Sequence, residues 1–226
     1  MNSNALLRLC MFMSAILVIA IYFNYRPFSW PVGLEALGCL ISSIILIFAG
    51  LLLWFFRRKS IIIKEQKNLS FGLVIGLLWT IEIGINNIIH PDLPFRDIVD
   101  DIFWAAIAIL ILVFATIEAF KRKRILAGII LGFWSGTGSG AIASLTALIL
   151  IVFGMHFILK DPLNVKEWSD INNTVHYPNM KVYFAYQTFA GTLMHLIILG
   201  TIMGLILGLL GGIIGKSMSY LKKELL

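Results

Sequence analysis

Residues 125–159 read ILAGIILGFWSGTGSGAIASLTALILIVFGMHFIL, and residues 182–215 read VYFAYQTFAGTLMHLIILGTIMGLILGLLGGIIG, with no Lys, Arg, Asp or Glu in either. Each stretch carries a glycine at every fourth position: Gly128, Gly132, Gly136 and Gly140 in the first, Gly200, Gly204, Gly208 and Gly212 in the second. A four-residue period places such a set on one face of a helix. In lipid, hydrophobicity gives helices no reason to associate, and small residues on one face let two backbones approach closely instead. The two stretches therefore predict a tightly packed, antiparallel pair of membrane helices.

Composition assigns the rest of the chain to the same solvent. Of its 226 residues 59% are hydrophobic and 13% charged, and the mean hydropathy is +0.92. A soluble domain carries about 25% charged residues. Charge punctuation divides the chain into apolar runs near residues 8–25, 34–56, 69–90, 98–119, 125–156 and 185–215, each near the roughly 20 residues a crossing needs. The expected fold is all-α, a single polytopic domain of six transmembrane helices over residues 1–226. Arg8 precedes the first run, but Asn24-Tyr25-Arg26-Pro27 offers no small-residue cleavage site, so that run reads as an uncleaved anchor. Cys10 and Cys39 sit inside spans and read as small core hydrophobes; no disulfide framework or metal spacing is present.

Basic residues set the orientation. Arg8, the 57–67 connection, the Lys121-Arg122-Lys123-Arg124 cluster and the tail hold 13 of the 18 Lys and Arg. The alternate connections hold only Arg26, Arg96, Lys160, Lys166 and Lys181. The positive-inside rule then puts both termini on the cytoplasmic side of a plasma (inner) membrane. The formal charge of +6 is a topology signal. Nucleic-acid binding would need a continuous basic surface, and these residues are juxtamembrane flanks facing lipid headgroups.

With this orientation both glycine ladders fall in the cytoplasmic half, Gly128 level with Gly212 and Gly140 level with Gly200. Bulkier residues return beyond them, which predicts a V closed inside and opening outward. The open half is the place to seek function. Glu82 lies in the third span, followed at i+4 and i+8 by Asn86 and His90, while Thr188, Thr192 and His195 share a face of the sixth. An ionisable residue in a span costs roughly 2.5–3.5 kcal/mol to insert and so implies a partner or a function. Glu82, Asn86, His90, Thr192 and His195 form the candidate polar cavity, with Glu82 and His195 as the expected pair. The alternative is structural: Glu82 bonds a neighbouring helix and only holds the bundle together.

Other features have plainer uses. Asp97, Asp100 and Asp101 open the fourth span, where carboxylates favour the helix dipole. Val165, Trp168 and Ile171 have the spacing of a short interfacial helix, and Tyr177, Tyr183 and Tyr186 extend an aromatic belt. No catalytic residue, metal site or cofactor is assigned, since no two of the histidines share a helix at ligand spacing. The fifth run, 35 residues long, would span roughly 52 Å as a helix against a hydrocarbon core of roughly 30 Å, so it tilts, protrudes or unwinds near Gly136–Gly140.

The segment Trp134-Ser135-Gly136-Thr137-Gly138-Ser139-Gly140, with His195 on a late helix, resembles rhomboid intramembrane proteases. That resemblance implies a serine nucleophile with His195 as base. It covers about two helices, and it departs from the family at Thr137, where glycine is expected, and in placing the serine on the fifth span. The expected function is a non-enzymatic accessory or sensing membrane subunit, partnered by the bilayer and by a membrane protein or a second copy. The alternatives are a small-solute, ion or proton-coupled transporter using the Glu82–His195 cavity, and an intramembrane hydrolase.

Overall fold

The computed structural model describes residues 3–24, 44, 66–88, 95–171, 173 and 177–224. The expected second span, 34–56, lies outside the described residues save for Ile44, and so does His90. The described elements are helical. They are α1 (Ser3–Asn24), α2 (Gln66–Ile88), α3 (Arg96–Arg122), α4 (Ile125–Phe153), the single turn α5 (Met155–Ile158) and α6 (Pro162–Ile171). After them come α7 (Met180–Leu193), a π-helical segment (Met194–Ile202) and α8 (Met203–Glu224), which run on as one rod. Four stretches, Asn68–Asn87, Arg96–Arg122, Ile125–Phe153 and Met180–Leu221, are long and apolar enough to cross a membrane; Ala5–Ile21 is a shorter apolar helix.

The central element is α4. Its ladder face meets the α8 rod in antiparallel register. A Cβ placed on Gly128 would lie 2.6 Å from Gly212 Cα, one on Gly132 2.6 Å from Gly208 Cα, one on Gly136 2.9 Å from Gly204 Cα, and one on Gly140 3.2 Å from Gly200 Cα. Backbone meets backbone along this seam, which glycine alone permits. A second face of α4 is almost as close to α2. Gly72 packs on the Ser135 backbone, a Cβ on Gly76 would lie 2.6 Å from Ile142 Cβ, and Thr80 and Thr146 share a hydrogen bond of 2.9 Å. The numbers rise together in these contacts, so α2 and α4 run parallel. Gly211 and Gly215 seat α8 on Ala115, Thr116 and Ala119 of α3, again in parallel. Phe71 stacks on Phe114, and Trp79 meets Trp104, which makes α2 and α3 antiparallel. The four long elements thus alternate in direction.

Helix ends follow the local chemistry. Lys123 takes a left-handed conformation (φ 54°) and closes α3 by donating its N–H to Ala119 O, so Arg124 starts α4 after a two-residue turn. At the other end α4 stops at Gly154, whose N–H bonds Leu150 O. The helix is continuous from Ile125 to Phe153, so the unwinding near Gly136–Gly140 that the sequence raised does not occur. At 1.5 Å per residue its 29 residues span roughly 44 Å, so the excess over a bilayer core appears as length, not as a break. The irregularity lies instead in the facing rod, as nine residues of π-helix that include His195 and Gly200. Within it the Thr201 side chain donates Oγ1–H to Leu196 O, five residues back.

The interior is apolar where the helices meet, around Val18, Ile21, Leu69, Leu148, Ile151 and Phe184. The outside is apolar too: Val74, Ile98, Ile102, Ile109, Leu209 and Leu210 are exposed. Such a coat over all-helical packing is compatible with a membrane location.

Candidate functional site

Just beyond the glycine seam α4 and the rod still touch, where Ser144 Oγ donates to Thr192 O at 2.7 Å. A Cβ on Gly191 meets nothing within 4 Å, in contrast to the ladder glycines roughly two to six turns further along the same rod. Between α2, α4 and α7 lies a cavity of about 280 Å³, lined among others by Glu82, Asn86, Thr188, Gly191 and His195. Its apolar wall is Ile83 of α2 with Ala147 and Leu150 of α4. Gln187 also lines it and donates Nε2–H to Glu167 Oε1 of α6 (3.0 Å), an oxygen that also takes the Tyr183 hydroxyl at 2.6 Å. The short helix α6 is therefore fastened to the cavity's rim.

Glu82 is buried, with 5% of its surface exposed. Asn86, one turn on, donates both hydrogens of its side-chain amide: to Glu82 Oε1 at 2.8 Å and to Asp100 Oδ1 at 2.7 Å. One amide thus bridges the carboxyls of two helices. Glu82 Oε2 has no hydrogen-bond partner among the described residues. His195 reaches the same cavity from the π segment. Its Nδ1 lies 2.8 Å from Gly191 O, and because a carbonyl only accepts, Nδ1 carries a proton. Its Nε2 is buried and unpartnered among the described residues. The imidazole stands edge-on to Trp79 (centroids 5.1 Å apart, 89°), and Trp79 in turn meets Trp104 at 4.8 Å. Trp79 and Glu82 are one turn apart on α2, so the tryptophan brings the histidine to the carboxylate's face. Glu82 and His195 share the cavity without bonding each other.

Beneath Asn86 is a network that the sequence did not suggest. Arg96, buried at the start of α3, donates Nη2–H to Asn86 O and pairs with Asp161 Oδ2 at 3.3 Å. Asp161 Oδ1 accepts from Leu163 N at 2.9 Å and so caps the start of α6. One guanidinium thereby ties the end of α2, the start of α3 and the turn before α6. Of the carboxylates read as favouring the helix dipole, Asp97 lies in the first turn of α3. Asp100 instead joins Glu82 through Asn86, and the cue was the position of a lone arginine between two spans.

The expected cavity residues separate. Glu82, Asn86 and His195 line the cavity. Thr192 does not: it is fully buried, its hydroxyl returns to Thr188 O, and its carbonyl accepts from Ser144 of α4. At 3.6 residues per turn Thr192 lies roughly 40° past Thr188, which turns it from the cavity into the α4 interface. His90 lies outside the described residues. The protease arrangement is not assembled. Ser135 Oγ donates to Asn68 O of α2 and Ser139 Oγ to Gly136 O, so neither hydroxyl is held by His195. Among the described residues no three His, Cys, Asp or Glu side chains converge as metal ligands. Compared with protein-family models, curated proteins and solved structures, the chain matches none.

Proposed function

We propose that this chain is a six-span plasma-membrane protein with both termini cytoplasmic, a non-enzymatic sensing or accessory subunit that receives a small polar solute in the Glu82–His195 cavity. The count of six adds the apolar runs 8–25 and 34–56 to the four long helices, and the orientation rests on the Lys and Arg distribution. The observation that carries the reading is the cavity's place at the end of a closed seam. It lies beyond Gly140 and Gly200, and from there to Gly128 and Gly212 the two backbones touch, which leaves no passage along that seam. A polar pocket at the end of a closed seam suits reception better than conduction. The exposed apolar coat contacts lipid and supplies the face for a membrane partner or a second copy.

Transport is the second reading, and one observation favours it: the wall at His195 is π-helical, and such segments recur at functional sites and can rewind. Proteoliposomes holding a trapped pH-sensitive dye under a potassium diffusion potential separate the two. A sensing subunit leaves the proton leak at the level of protein-free vesicles. A flux that disappears with Glu82→Gln would assign the cavity to transport instead.

A further inference from the structure

The geometry points to the chemical class of the solute: a small organic cation, a protonated primary amine, held with its ammonium group between Glu82 Oε2 and His195 Nε2 and its carbon stem on Ile83, Ala147 and Leu150. This rests on the cavity being the receptive site.

Three observations converge on it. The first is unused hydrogen-bonding capacity. With Nδ1 protonated, the neutral ring offers Nε2 as an acceptor, and Glu82 Oε2 is an acceptor as well; both atoms are buried and unpartnered among the described residues. Groups of this kind cost free energy unless something donates to them, and an ammonium group supplies three donors. The second is charge. Among the described residues the network around Asn86 holds three carboxyls, Glu82, Asp100 and Asp161, and one guanidinium, that of Arg96, which is already paired with Asp161. The remaining carboxyls, Glu82 and Asp100, share the neutral Asn86 amide, and among the described residues no Lys or Arg lines the cavity. A cation meets complementary potential there and an anion meets repulsion.

The third is shape. About 280 Å³ is far more than a bare ion fills, given roughly 30 Å³ for one water, and the aliphatic wall has no role for an ion alone. A metal ion would want a third protein ligand, which the described residues do not bring. A short alkylamine uses both acceptors and the wall.

The test places a cysteine at Gly191, where a Cβ has open space, in the full chain with Cys10 and Cys39 replaced by alanine, reconstituted in vesicles. Its modification by methanethiosulfonate reagents bearing ammonium, hydroxyl or sulfonate groups is timed, each rate normalised to a free thiol in solution. A field focused by the Glu82–Asp100 pair raises local cation concentration by about tenfold or more, so the ammonium reagent is expected to outpace the sulfonate by at least that factor. n-Butylamine should slow the reaction saturably, n-butanol should not, and Glu82→Gln should remove the charge preference. The protection by n-butylamine is read with Glu82 intact, so a poorly folded Glu82→Gln protein does not block the experiment. Reaction without charge preference, or without protection by n-butylamine, overturns the amine assignment while leaving a wet receptive cavity. Silence toward all three reagents overturns the cavity reading itself.

Discussion

Arg96→Met is expected to cost about 3–5 kcal/mol of stability, the range for breaking a buried ion pair from one side. The guanidinium and the Asp161 carboxylate expose only 9% and 6% of their side chains, so solvent screens neither. Removing the cation leaves Asp161 buried beside an apolar methionine and strips the donor from Asn86 O. Asn86 is also the bridge between Glu82 and Asp100, so the loss reaches the cavity. Arg96→Lys keeps the charge but not the planar fork that serves both acceptors, and it should fall between the two. The measurement is reversible unfolding in mixed micelles for Arg96→Met, Asp161→Leu and the double variant. If the pair is the unit, the double variant loses much less than the sum of the singles. Additive losses would mean that Arg96 matters for something other than Asp161.

Gly136→Ala is expected to cost about 1–3 kcal/mol, the usual range for overpacking, although alanine is the better helix former by about 1 kcal/mol. The new methyl group would press on the Gly200 carbonyl oxygen and stand 2.9 Å from Gly204 Cα, and neither can swing aside as a side-chain tip would. Gly132→Ala presses on the Gly204 carbonyl oxygen in the same way. Gly191→Ala, on the facing rod at a place where a Cβ has open space, should be neutral or stabilising. The contrast is read in the same unfolding assay. Equal effects at positions 136 and 191 would mean that the seam is not a close backbone contact.

The parts legible in the sequence are those governed by a repeating physical demand. Interruptions of charge mark where lipid-compatible helices end, so the long helices were visible from Lys121–Arg124 and its counterparts. The four-residue glycine spacing exposes one face of α4 because a single period describes a single face. It is blind to the second face, where Ser135 and Gly138 meet α2, since Gly72 and Gly76 there pack on unlike residues. Glu82 and His195 announced themselves by the cost of polar groups in an apolar run. Arg96, Asp100 and Asp161 did not, because near a helix end such residues ordinarily face water or the helix dipole. Only the approach of α2, α3 and the turn before α6 converts them into a network. The π segment was invisible: its signature is backbone hydrogen bonding, and nothing in Met194–Ile202 forbids an ordinary helix.

The proposed function requires a polar cavity that opens to one side of the membrane and is closed toward the other by touching glycine backbones. Its most direct measurement is two-sided labelling of Thr188→Cys, with Cys10 and Cys39 replaced by alanine, using a membrane-impermeant thiol reagent on sealed vesicles of known orientation. Labelling from the side opposite the Lys216 end of α8, and from that side only, is the expected result. Labelling from the Lys216 side, or protection from both, would contradict it.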